Sequence, residues 1–176
     1  ILRKTSPINI NRKENSAEHS WQIILSAIIF VEHSNQDINL LKVLKMLAIH
    51  DIVEIDVGDI FHYDKENTPN LFEKELKAAE RIFGMLDSPQ KEEYINLWIE
   101  FEKKETPEAK YATAIDRLIA IILNFKNNGG IWPENNITVQ KILEKNAHIA
   151  DGAINLWEIA KYILDECSKN GFIKAQ

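Results

Sequence analysis

Residues 40–54 read Leu40-Leu41-Lys42-Val43-Leu44-Lys45-Met46-Leu47-Ala48-Ile49-His50-Asp51-Ile52-Val53-Glu54. Apolar residues return at steps of three and four, from Leu40 to Val43 to Leu47. That is the repeat of one helix face, not the alternation of a half-buried strand. Period has to decide, because the chain holds 27 isoleucines, whose branched side chains by propensity alone favour strands. Carried onward, the same step lands on His50 or Asp51 and then on Glu54, so ionisable groups continue an apolar stripe. Asp37 is the plausible N-cap of this helix and Gly58 its stop.

Helical spacing extends in both directions. Asn15 followed three residues later by Glu18 has the pattern of a capping box, and a 3.6-period run follows to about His33. The polar stretch 62–70 reads as a loop. Further amphipathic segments cover 71–86, 89–104, 107–125, 138–149 and 154–168. Ser88-Pro89 and Thr106-Pro107 each look like a cap followed by a first-turn proline. Asn127-Asn128-Gly129-Gly130 closes a helix, and Trp132-Pro133 opens a short irregular connection. No internal repeat or shift of composition marks a boundary, so the expectation is a single all-α domain over residues 1–176, a bundle of about six or seven helices.

Composition excludes several classes. With 6 glycines and 5 prolines in 176 residues, loop-rich and low-complexity architectures are out. The longest nearly apolar stretches, 23–31 and 118–123, fall short of the roughly 18 residues that cross a bilayer, so no membrane partner is expected. Ser6, Asn9 and Asn11 interrupt any apolar run after Arg3 and Lys4, so nothing there reads as a secretory signal. A lone cysteine, Cys167, forms no internal disulfide and suits a cytoplasmic location. A formal charge of −6 and an isoelectric point near 5.4 argue against a nucleic-acid polymer. A small phosphorylated ligand stays possible, since one metal ion with a few basic groups can hold a phosphate on an acidic protein.

Two other segments repeat the pattern of 40–54. His19 shares a helix face with Ile23, Ala27 and Phe30, and Asp116 shares one with Ala112, Ile119 and Leu123. Burying isolated carboxylates costs several kcal/mol unless a charge pairs with them. A divalent cation held by two neutral imidazoles and two carboxylates would resolve that cost, ligand charge matching metal charge. Structural pairing is the alternative: Arg12, Arg117 or Lys110 for Asp116, and a hydrogen-bonded core position for His19.

The order His19, His50-Asp51, Asp116 resembles the HD superfamily of metal-dependent phosphohydrolases. The surroundings carry the likeness further, through Arg12-Lys13-Glu14-Asn15-Ser16-Ala17-Glu18-His19-Ser20-Trp21, then His50 to Asp59, then Thr106 to Lys110 leading to Ala114-Ile115-Asp116-Arg117-Leu118. The chain looks like the bacterial HD hydrolases related to 5′-deoxynucleotidases. The resemblance implies His19, His50, Asp51 and Asp116 as ligands of one divalent ion (Mn, Co, Ni, Fe, Zn or Mg). It implies Glu54 as general acid or as the group orienting the nucleophilic water, with Asp51 beside it in the catalytic set, and Asp59 near the sugar, discriminating against a 2′-hydroxyl. Nucleotidases of the group carry an Arg-Trp pair about fourteen to fifteen residues before the first metal histidine, where this chain has Lys4-Thr5. Ile60-Phe61-His62 likewise replaces a common threonine and proline.

Arg12, just ahead of His19, is the expected phosphate contact, Lys13 the weaker one, and a solvated loop charge is the alternative for both. Glu18 is expected at the helix cap, or secondarily behind a metal histidine. His33, His62 and His148 read as surface or loop histidines, with His62 also able to reach a pocket mouth. Trp21, Trp98, Trp132 and Trp157 read as core or docking anchors, and Asp56 as exposed. The expected function is hydrolysis of a small phosphate monoester, a (deoxy)nucleoside 5′-monophosphate, by a homodimer. The competing reading is a metal-binding regulatory or scaffold module without turnover.

Overall fold

Asn15 caps the first helix as its spacing requires. In the computed structural model its side chain accepts from the amides of Ala17 and Glu18 at 3.0 Å, and the Glu18 carboxylate accepts from the Asn15 amide at 3.0 Å. The structure describes residues 1–64 and 68–174; the middle of the loop expected over 62–70 lies outside the described residues. From the cap runs α1 (Ser16–Ile29), which stops before His33 because Val31–His33 tighten into a 3-10 turn. α2 (Leu40–Ile49) is capped by Asn39, whose Oδ1 accepts from the Lys42 amide at 3.2 Å, and not by Asp37. The helix starts on the first apolar residue of its stripe, so the residue just before that one caps it.

The helix expected to run past His50 narrows instead. His50–Val53 form a 3-10 turn, α3 (Glu54–Val57) follows, and Gly58 ends it at φ 84°, a left-handed backbone that glycine adopts without a Cβ penalty. Then come α4 (Leu71–Phe83), α5 (Gln90–Lys103), α6 (Pro107–Lys126), α7 (Val139–Asn146), α8 (Ile149–Gly152) and α9 (Ile154–Lys169). Seven of these have eight residues or more, and no strand occurs among the described residues. Thr106 caps α6, accepting from the Ala109 amide at 3.3 Å. Ser88 does not cap α5: Pro89 occupies the cap position and the Ser88 hydroxyl donates to Glu92 at 2.9 Å.

α6 is the axis of the bundle. A helix buried on nearly every face belongs at the centre, and α6 packs against α1, α2, α5, α8 and α9. Its closest neighbour is α8, because Gly152 lies against the Lys110 carbonyl, where a Cβ would come within 2.2 Å. Ile23, Val43, Leu47, Trp98, Ile115, Leu118, Ile142, Leu156 and Leu164 fill the spaces between helices. Trp98 and Trp132 are core anchors as expected, while Trp21, 70% exposed on the outer side of α1, is not. The arrangement lines up three helices so that His19, His50 and Asp116 face one interior point.

Candidate metal centre

His19 stands on the second turn of α1, at the inner end of the stripe Ile23–Ala27, and is 1% exposed. His50 and Asp51 sit where α2 tightens into the 3-10 turn. Asp116 lies midway along α6 between Ala112 and Ile119. His19 Nε2 is 3.0 Å from Asp116 Oδ1 and 3.9 Å from Asp51 Oδ2, and His50 Nε2 is 2.9 Å from Asp51 Oδ1. One ligand atom from each of His19, His50 and Asp51 falls within 4.8 Å of the others.

Two observations test whether these residues fit a cation. His50 Nδ1 lies 3.0 Å from the Leu47 carbonyl, which can only accept, so the proton belongs on Nδ1 and Nε2 turns a lone pair inward. In addition, His19 Nε2, His50 Nε2 and Asp116 Oδ1 are buried and, among the described residues, none has a partner in hydrogen-bond geometry despite these short separations. Groups so close yet misaligned with one another are aimed at a shared third point. Two neutral imidazoles and two carboxylates make a set of charge −2, which suits a divalent first-row ion or Mg with water completing the shell. The residues fit.

The electrostatics of the two carboxylates agree. Burial pushes Asp116 upward, but His19, Arg117 and His50 together outweigh it and hold the carboxyl well below its usual range. Asp51 is likewise held down by His50 and Arg3 against the opposing effect of burial. Both stay ionised at any physiological pH. Burial lowers His50, and Asp51 and Asp116 together more than compensate.

A cavity of about 360 Å³ opens beside this cluster. Glu54, 6% exposed, lines it one turn after His50, and Asp59 lines it just beyond the Gly58 turn. Arg12 does not reach it. Its guanidinium pairs with Glu18 at 2.5 and 2.8 Å on the exterior, beside a separate hollow that it shares with Lys13. Glu18 therefore serves the cap and Arg12, not a metal histidine. Two other arginines line the cavity: Arg117, 3.8 Å from Asp116, and Arg3, ion-paired with Asp51. Sequence reading missed Arg3 because it lies outside every helix and one residue ahead of the Lys4-Thr5 positions. The backbone brings it in: the Arg3 amide donates to the Glu14 carbonyl at 2.9 Å and the Glu14 amide to the Thr5 carbonyl at 3.1 Å. His148 sits in the turn between α7 and α8, as a loop histidine should, but has a place in the site that sequence reading did not give it. It lines the cavity, and burial, then Lys104 and Arg117, pull its imidazole down to about 4. His62 lines the cavity too, whereas His33 lies tilted beside Phe30 elsewhere.

Comparison with known proteins follows the geometry. A family model described as HD domain matches residues 1–157. The 5′-deoxynucleotidase HDDC2 of Danio rerio is 32% identical over 114 residues, covering 65% of this chain and 56% of that protein. A 5′-deoxynucleotidase of Schizosaccharomyces pombe is 28% identical over 121 residues, covering 66% and 60%. The chain thus spans little more than half the length of these relatives. A crystal structure from Magnetospirillum magnetotacticum, described as a predicted metal-dependent phosphohydrolase, superposes with a TM-score of 0.91 at 39% identity, over 99% of this chain and 89% of that one.

Proposed function

Since this chain belongs to the HD-domain family, we propose that it is one hydrolase unit over residues 1–176 that cleaves a small phosphate monoester, a 2′-deoxynucleoside 5′-monophosphate above all. The observation that carries this reading is the set of buried, misaligned ligand atoms of His19, His50 and Asp116 beside Asp51. These four residues would hold one divalent ion, drawn from Mn, Co, Ni, Fe, Zn and Mg. Such an ion supplies Lewis-acid charge for the phosphoryl oxygens and a nucleophile at neutral pH.

The residues of the chain do the rest. Arg3, lying against Asp51 at the cavity wall, takes over the role expected of Arg12 and presents a planar fork of donors to the phosphoryl group. Water attacks phosphorus, the bond from phosphorus to the 5′-oxygen breaks, and that oxygen requires a proton. Glu54 is the proton-handling group. As an acid it delivers the proton to the leaving oxygen, and as a carboxylate it orients the water; the first role makes activity fall as pH rises, the second as pH falls. Asp59 accepts from the sugar side and leaves no room for a 2′-hydroxyl.

Deoxynucleotidase relatives and the HD-type structural neighbour support this reading. A cytoplasmic location agrees with the single cysteine. Homodimerisation through α1 is part of the proposal: Trp21, Leu25, Ile28 and Ile29 are exposed on one side of that helix at helical spacing, and a twofold axis would let the stripe cover itself. Sedimentation should then give twice the chain mass, falling to one chain mass in Trp21→Glu. The test of function is phosphate release from matched deoxy- and ribonucleoside monophosphates with each metal. Release favouring the deoxy series, with the preference lost in Asp59→Ala, is the expected result. No release from any monoester with any of these metals would overturn the assignment.

A further inference from the structure

Behind the four ligands lies a buried carboxylate that the proposed reaction does not use. Glu14 is 2% exposed and precedes the Asn15 cap. Its Oε1 accepts from the Thr5 hydroxyl and from Arg3 Nε, the latter at 3.3 Å, and lies 3.7 Å from His19 Nδ1. One oxygen thus stands at a junction of three groups. Two of them lead to the centre: Arg3 goes on to Asp51, and the other nitrogen of His19 faces Asp116.

The two histidines of the centre are backed differently. His50 has its outer nitrogen on the Leu47 carbonyl, which fixes ring and tautomer whatever the side chains around it. Among the described residues His19 has no hydrogen-bonded partner at its outer nitrogen, and Glu14 is a carboxylate facing it at 3.7 Å. A carboxylate behind a ligating imidazole fixes the tautomer and strengthens the ring as a donor, an effect typically worth 10–100-fold in metal affinity. Backbone pairing holds Glu14 in place. Residues 1–5 run antiparallel to 14–16, with the Ser16 amide donating to the Ile1 carbonyl at 3.1 Å and a bridge between Leu2 and Asn15.

We propose that Glu14 is a positioning residue that sets both His19 as a metal ligand and Arg3 as a phosphate donor, so that cation and phosphate binding are coupled through one carboxylate. The inference rests on the reading of His19, His50, Asp51 and Asp116 as the metal centre.

The experiment is calorimetric titration of Mn2+ or Co2+ into the chelated 176-residue chain, for the wild type, Glu14→Gln, Arg3→Ala and the double variant, alongside KM and kcat for a deoxynucleoside monophosphate. Glu14→Gln preserves shape and removes charge. It is expected to weaken cation binding about tenfold or more, in the Arg3→Ala background as well, because that effect runs through His19. Its KM effect is expected to vanish in that background, because it runs through Arg3. Thermal melts distinguish these effects from loss of fold. If Glu14→Gln does not fold, Thr5→Val removes only the hydroxyl that holds the carboxylate, and a severalfold loss of cation affinity is expected there. Wild-type cation affinity and KM in the folded variant overturn the inference and leave the metal centre standing. A wild-type protein that binds no cation overturns both.

Discussion

His148 stays neutral because protonating it would bury a charge beside Lys104 and Arg117. Its ordinary value of 6.5 falls to about 4 in the folded protein. The sign follows from linkage. Between about 6.5 and 4 the unfolded chain binds the extra proton, so this stabilisation is complete above about 6.5 and is lost as pH drops towards 4. The full span corresponds to roughly 3 kcal/mol. Imidazole resonances should show His148 without a titration step between pH 8 and 5.5, and His148→Asn should flatten the fall of the urea midpoint across pH 6.5 to 4.5. A His148 step near 6.5 would contradict the burial argument. Glu54→Gln should abolish turnover, by a factor of at least about 10², while leaving cation affinity near that of wild type. That His19, His50 or Asp51, and Asp116 face inward was legible in the apolar stripes they continue, while their meeting as one set was implied by the family resemblance and not by spacing alone. Arg3 and Glu14 were not legible, because they meet through backbone pairing of two non-helical segments, which leaves no period to read. Arg12 shows the converse: nearness to His19 along the chain suggested a site residue, and its pairing with Glu18 holds it outside.

Helix existence was readable from spacing, and helix ends less so. The capping box at Asn15 and the Thr106-Pro107 start are set by local chemistry and appear as expected. The stop of α1 at Ile29, the Asn39 cap and the 3-10 turn at His50–Val53 depend on packing against other helices. That 3-10 turn places His50 and Asp51 just past the end of α2 and hands the chain on to Glu54 at the start of α3. Asn15→Ala should cost about 1 kcal/mol, seen as a lower melting temperature. Gly152→Ala forces a methyl into the Lys110 carbonyl at the α6–α8 contact. It should destabilise the fold by about 1–3 kcal/mol, a drop of several degrees in the melt. An unchanged melting temperature would show that α8 moves away freely.

The formal charge of −6 describes the molecule poorly where it matters. Two of the acidic residues, Asp51 and Asp116, are the proposed ligands, and Glu14 is paired locally with Arg3. The cavity itself is lined by Arg3, Lys104, Arg117 and Lys145 as well as by carboxylates. An acidic protein can therefore receive a phosphate ester at one point while repelling a polymer everywhere else. The basic lining was not legible in the sequence, because its members come from segments far apart in the chain. The most direct test is a single titration: phosphate release from a 2′-deoxynucleoside 5′-monophosphate by chelated protein, followed as Mn2+ or Co2+ is added. The account predicts no release without cation and a rise that levels off near one ion per chain. Release that is indifferent to chelation, or that levels off only at two ions per chain, would contradict it.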